Sequence, residues 1–330
     1  MKVGVLQFFS WPDRSVPLGT VYARALERIE VMDRTGYDAV WLAEHHFSGY
    51  SVCPSVHMMG TLAAARTSRL RIGMGVSLAA FYHPLRLAEE VALLDQISGG
   101  RVNWGAGRGF SSGEFAAFGI PPAESAARFR EAVDIVLRAW TEERLSYDGQ
   151  FFSCDAVEVL PKPLQAPHPP VWMAATSEPA IDWAAGAGFT ILMDPHASFG
   201  ELAAKRRFYD DRLAAAGHDP GGREIPMARL IALADDAATA EAVARRGAAW
   251  LTASYAGPQH KTVELAPRDL AGADPIDRYV GEVILHGTPE AVVEKIQALG
   301  DEVPMDYLLC APLSQDSFRL LTEKVLPRIV

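Results

Sequence analysis

The amino-acid sequence predicts an α/β protein built as a (β/α)₈ TIM barrel with insertions in its βα loops, and three observations predict it. Short apolar runs rich in β-branched and aromatic residues alternate with longer segments of helical period from the first residues to the last, the rhythm of βα units around a parallel sheet. The runs number eight, the count that closes a barrel. No internal repeat or low-complexity linker interrupts them, so residues 1–330 read as one domain.

In chain order the expected strands are Val3 to Phe8, Ala39 to Ala43, Leu70 to Ser77, Arg101 to Ala106, Val171 to Ala175, Phe189 to Met193, Ile225 to Ala234 and Met305 to Ala311. His83-Pro84 starts the helix after the third strand, because proline suits the first helical position. Between Glu124 and Trp140 the residues Phe129, Ala132, Val133, Val136, Leu137 and Trp140 recur at i, i+3, i+4, i+7, i+8 and i+11, one face of a helix. Thr288-Pro289-Glu290 reads as an N-cap with proline at the next position; Gly300 is the expected stop, and Val292, Val293, Ile296 and Leu299 form the buried stripe. Two insertions depart from a minimal barrel. Tyr147 to Pro170 has room for a hairpin and ends in a proline-rich tract read as a stiff connector, and the second insertion is the loop from Gly257 to Gly281.

Composition narrows the partners. Lys and Arg total 31 against 41 Asp and Glu, a net charge of −10, and no dense basic block is present, which argues against nucleic acid and anionic membrane surfaces. With 49% hydrophobic and 22% charged residues the chain is an ordinary packed globule. No run approaches a bilayer-spanning length, and the start Met-Lys-Val-Gly-Val-Leu-Gln-Phe-Phe is too short and too lightly basic for a signal peptide. Cys53, Cys154 and Cys310 are too few and too scattered for a disulfide framework, which makes a reducing cytoplasm the expected setting.

Chemistry in such a barrel gathers where strands end in loops on the C-terminal face. The second strand runs into Glu44-His45-His46-Phe47, where alternation sends Glu44 and His46 one way and His45 the other. A histidine there can serve as general base, hydrogen-bond donor, metal ligand or a satisfied structural group. The fourth strand ends in Gly105-Ala106-Gly107-Arg108-Gly109-Phe110, which permits close backbone approach and offers one guanidinium to an anion, or equally a glycine turn with a solvated arginine. It is not a dinucleotide fingerprint, since Phe110 stands where the last glycine belongs. After the fifth strand, Ala175-Thr176-Ser177 opens a helix, where Ser177 can cap the helix or bind an anion beside Arg108 across the gap between neighbouring strands. Together these residues describe a pocket for a planar phosphorylated cofactor beside a small cavity.

At these positions the chain resembles the bacterial luciferase-like flavin-dependent monooxygenases, the family of the luciferase α subunit, along nearly its whole length. The resemblance rests on Met-Lys-Val-Gly at the start, Glu44-His45-His46-Phe47, His83-Pro84 through Leu94-Asp95-Gln96-Ile97-Ser98-Gly99-Gly100-Arg101, Gly107-Arg108-Gly109, Phe118-Gly119 with Glu124-Ser125, and Gly287-Thr288-Pro289-Glu290. It implies a barrel that binds reduced FMN, reacts it with O₂ to a C(4a)-peroxyflavin and oxygenates a small, largely apolar substrate, with the reduced flavin supplied by a separate reductase and two copies forming a homodimer. Carried over by position, Arg108, Ser177 and the backbone near Thr176 would hold the FMN phosphate and Ala175 would line the site. Gly75-Val76 falls where the family has a non-prolyl cis peptide under the ring. His45 would handle protons, with Glu44 behind it. Gly107 replaces a cysteine of luciferase, Pro195 stands in place of a tryptophan and the Gly257 to Gly281 loop is shorter, so light emission from a long-chain aldehyde is not expected. Three alternatives remain at this point: a deazaflavin-dependent hydride transferase on the same barrel, a metal-dependent hydrolase using His45, His46 and Asp194 or His196, and a non-catalytic flavin binder.

Overall fold

The computed structural model describes residues 1–255 and 274–330. Its strands are β1 (Lys2–Gln7), β2 (Ala39–Leu42), β3 (Arg71–Met74), β4 (Ser77–Leu78), β5 (Val102–Gly107), β6 (Leu145–Asp148), β7 (Ser153–Val157), β8 (Val171–Ala174), β9 (Thr190–Leu192), β10 (Pro226–Leu233), β11 (Leu285–Gly287) and β12 (Tyr307–Pro312). Eight of them, β1, β2, β3, β5, β8, β9, β10 and β12, pair in parallel in chain order and correspond to the eight expected runs. The ring closes through Met193, whose N–H donates to the Pro226 carbonyl at 2.9 Å and whose carbonyl accepts from the Ala228 N–H at 3.1 Å.

The helices are α1 (Leu18–Arg34), α2 (Val56–Arg66), α3 (Pro84–Ser98), α4 (Ser112–Ala117), α5 (Ser125–Thr141), α6 (Glu178–Gly186), α7 (Phe199–Ala215), α8 (Ala237–Tyr255), α9 (Pro275–Arg278), α10 (Pro289–Glu302), α11 (Gln315–Leu320) and α12 (Leu326–Ile329). The expected stripe of α5 is buried at Phe129, Ala132, Val133, Val136 and Trp140. At α10 the Thr288 hydroxyl accepts from the Ala291 N–H, but the helix runs two residues past the expected stop at Gly300. The hairpin of the first insertion is β6–β7. The proline-rich tract behind it is pinned as a connector: the buried Asp95 carboxylate of α3 accepts from the Leu164 and Gln165 N–H groups at 2.8 and 2.9 Å. Most of the Gly257 to Gly281 loop lies outside the described residues.

Two aromatic side chains fill the bottom of the barrel. Trp41 is fully buried, stands edge-on to Trp172 at 5.2 Å and donates its indole N–H to the Tyr307 hydroxyl at 3.0 Å. Glycine at 73 makes room for it, since a β-carbon there would lie 2.3 Å from the Trp41 ring. The third expected run is split into β3 and β4; the Gly75–Val76 peptide between them is cis and neither residue is in a strand. Across the break the pairing with β5 slips by one residue, from Gly73↔Asn103 to Ser77↔Ala106. That slip turns Gly75 and Val76 toward the barrel mouth, where they line a cavity. β11 was not expected; it adds to the outer side of β10 as a short edge strand.

Candidate active site

A cavity of about 460 Å³ opens on the C-terminal face, within the range of small-molecule and cofactor sites. Glu44, His45, Gly75, Val76, Arg108, Ala175, Thr176 and Ser177 all line it. β5 and β8 are direct neighbours, with Ala106 opposite Met173, so Arg108 and Ser177 leave adjacent strand ends and flank one gap. The Arg108 guanidinium is exposed and donates to the buried Ser125 hydroxyl at 3.4 Å. Ser177 occupies the N-cap position of α6, but contrary to the simple capping alternative its side chain makes no capping hydrogen bond; only its carbonyl accepts, from the Ala180 and Ile181 N–H groups. Its hydroxyl is therefore not committed to the helix end.

Arg130, from the exposed face of α5, also reaches this cavity and lies 5.3 Å over the Trp183 ring. It went unnoticed in the sequence because an arginine on the polar side of an amphipathic helix looks like any solvated charge. The floor near β5 is tight: a β-carbon at Gly107 would stand 2.5 Å from Val76 Cγ2 and 3.4 Å from Ala174 Cβ. Gly75, Val76, Gly107 and Ala175 thus form a wall of small residues, with two guanidiniums and two hydroxyl residues at one end.

His45 stands among aromatic rings, 4.8 Å from Tyr50 edge-on and 6.3 Å from Phe8. The alternation across Glu44, His45 and His46 persists although β2 ends at Leu42. The buried Glu44 carboxylate is held by His46 Nε2 at 3.1 Å and by the Tyr82 hydroxyl, which donates at 3.1 Å. Burial, reinforced by Glu44, pushes the Tyr82 phenol well above its ordinary range, so it remains a donor to that carboxylate. Glu114 joins from α4, accepting the His46 backbone N–H at 2.9 Å, and burial raises its carboxyl above the usual range against the pull of that bond. The Ser111-Ser-Gly-Glu114 spacing reads as a capping box in sequence, but here the Glu114 side chain reaches across to the second strand end.

Opposite lies a second polar group on the cavity wall. Burial drives the His196 imidazole down to about 4, which leaves it neutral near pH 7, and the Tyr279 hydroxyl sits 3.1 Å from its Nδ1. Lys205 donates to Asp194 at 3.0 Å, and the fully buried Arg229 donates to the backbone carbonyls of Asp194 and Ala197 at 2.9 and 2.6 Å. This framework fixes the loop that follows β9. It also bears on the hydrolase alternative: His46 is engaged by Glu44 and Asp194 by Lys205, and among the described residues no three His, Cys, Asp or Glu side chains converge as a metal site.

Comparison with known proteins places this geometry among relatives. Residues 1–303 match the model of the family described as luciferase-like monooxygenase. Protein y4wF of Sinorhizobium fredii is 40% identical over 189 residues, 57% of this chain and 54% of that protein. The oxygenase component of the flavin-dependent trigonelline monooxygenase of Acinetobacter baylyi is 30% identical over 53% of this chain and 49% of its own length. In these two alignments the chain spans about half the length of its curated relatives. The crystal structure of monooxygenase RslO1 from Streptomyces bottropensis superposes with a TM-score of 0.88 at 30% identity, covering 100% of both chains.

Proposed function

This chain belongs to the luciferase-like monooxygenase family, and on that premise we propose that it oxygenates a small, largely apolar organic substrate with reduced FMN and O₂. The observation that carries this reading is the placement of Arg108 and Ser177 at neighbouring strand ends on the same cavity as His45. A phosphate fits the polar end, because charge-assisted bonds from Arg108 and Arg130 and an uncommitted Ser177 hydroxyl meet there beside the first turn of α6. The small-residue wall at Gly75, Val76, Gly107 and Ala175 suits one face of a flat ring.

When bound, reduced FMN supplies the two electrons with which one atom of O₂ enters the substrate and the other leaves as water. The protein's own residues supply position and protons. His45 Nδ1 or Nε2 exchanges a proton at the cavity, Glu44, His46, Tyr82 and Glu114 brace the turn that carries it, and the apolar rings of Phe8 and Tyr50 keep bulk water from its flank. A separate flavin reductase delivers the reduced cofactor. Exposed Met58 and Leu62 on α2 beside Leu93 and Ile97 on α3 support assembly as a homodimer through the barrel exterior.

The test is turnover under ¹⁸O₂ with FMN, a flavin reductase and a panel of candidate substrates, read by mass spectrometry. One labelled oxygen per product is expected. Product lacking the label, or formed anaerobically with a deazaflavin coenzyme, overturns the proposal.

A further inference from the structure

A second cavity, of about 770 Å³, opens on the same face between α1, α8 and the loop that follows β12. It meets the first at Leu6, Phe8 and Tyr50, which line both. Three guanidiniums border it, Arg24 and Arg28 from α1 and Arg246 from α8, against one carboxylate, Asp13. This is a local excess of positive charge in a chain of net charge −10, with Arg24 and Arg246 exposed to solvent, and an anion bound between the guanidiniums would relieve their mutual repulsion.

Pairing among the described residues does not account for it. Arg24 and Arg246 have no hydrogen bond or ion pair among the described residues, whereas Arg245, next along the chain, is held by Glu241 and Asp277 at 2.9 Å each. Arg28 donates to Gln315 at 2.7 Å and lies 5.3 Å over the Phe318 ring. Burial first, and Arg24 beside it second, pull its guanidinium down to about 10. Val21, Val243 and Leu313 give the wall an apolar stretch between the polar Gln7, Ser10, Ser15 and Ser314, and Trp250 adds a buried indole N–H that has no acceptor among the described residues.

We infer that this chamber takes the substrate of the proposed oxygenase, an organic anion whose carboxylate is met by Arg24 and Arg246 and whose apolar body lies along Trp250 and Leu313 toward Phe8 and Tyr50. The inference rests on the proposed function only for the role of that anion as substrate. A carboxylate on a hydrophobic frame is favoured over a small inorganic ion because the latter leaves the apolar wall uncovered.

Equilibrium dialysis of the intact protein with 2-naphthoate and with its neutral counterpart 2-naphthamide tests this, with FMN binding measured in the same preparations. The wild type is expected to bind the carboxylate at least about tenfold more tightly than the amide, the scale of one charge-assisted contact. Arg24→Gln combined with Arg246→Gln should bring the two ligands within about twofold and leave the FMN affinity unchanged, while Arg245→Gln keeps the wild-type preference. Equal affinities in the wild type, a preference that survives the double substitution, or displacement of 2-naphthoate by a modest excess of inorganic phosphate overturns the inference. Loss of FMN binding alone, with the carboxylate preference intact and sensitive to both arginines, leaves the anion chamber standing and removes the flavin reading.

Discussion

If Arg108 holds the flavin phosphate as proposed, substituting it by alanine should separate phosphate recognition from the other proposed roles of the site. The Arg108 guanidinium is exposed and its intramolecular hydrogen bond, to Ser125, is 3.4 Å long, at the weak end of the range. Folding therefore loses little, within about 0.5 kcal/mol, as for surface positions without special contacts. A hydrogen bond to a charged group contributes about 1.5–3 kcal/mol, so the FMN dissociation constant should rise roughly 10- to 100-fold. Arg130 on the same cavity keeps the loss from being total. Riboflavin, which lacks the phosphate, supplies the internal control. Fluorescence-quenching titrations of wild type and Arg108→Ala with both ligands should show the wild-type preference for FMN falling by that factor while the riboflavin constant stays within about twofold. An unchanged FMN constant, or an equal loss for riboflavin, refutes the phosphate assignment.

Three further outcomes follow from other parts of the site and its scaffold. His45→Ala should bind FMN as the wild type does but form product at least about 100-fold more slowly, the usual scale of general acid–base catalysis, and equal turnover would remove its proton role. Gly107→Ala places a β-carbon 2.5 Å from Val76 Cγ2, so it should lower the melting temperature through a cost of roughly 1–3 kcal/mol and weaken FMN binding; retention of both contradicts the tight floor. Burial works against the Asp33 carboxylate, but the N–H groups of Leu70, Arg69 and Ser68 outweigh it and hold the pKa at about 2. Because that folded value is depressed, the charge stabilises the fold above pH 3.8 and the gain fades as pH falls toward 2. Asp33→Asn should thus cost about 1 kcal/mol at pH 7 after allowance for solvent screening, and the cost should shrink toward zero as pH falls through about 2, as read by urea unfolding at each pH.

The eight barrel strands were legible because each pairs a helix-facing and a barrel-facing side with apolar residues, leaving an almost continuous hydrophobic run between polar turns. The glycines among them carried more than strand chemistry alone discloses. Gly73 accommodates Trp41, a contact set by β2 and β3 lying side by side, and nothing in either run taken singly points to it. β11 escaped because Leu285-His286-Gly287 is too short for a period and gains strand geometry only from the free edge of β10. In the site, Arg108 and Ser177 stood out because glycine turns and helix starts mark strand ends. Arg130 and Glu114 did not, since both come from helices folded over the mouth, where orientation is decided by tertiary packing. The Glu44–His46 contact was legible too, since alternation puts those two side chains on one side of the chain.

On the proposed function, one cavity seats FMN with its phosphate between Arg108 and Ser177 and its ring against the Gly75–Val76 wall beside His45. A crystal structure of the protein soaked with FMN measures this directly. Phosphate oxygens are expected within hydrogen-bond distance, about 2.7–3.2 Å, of the Arg108 guanidinium and the Ser177 hydroxyl, with the isoalloxazine stacked on Val76. Flavin density elsewhere on the barrel, or a reversed pose with the phosphate at His45, would contradict it.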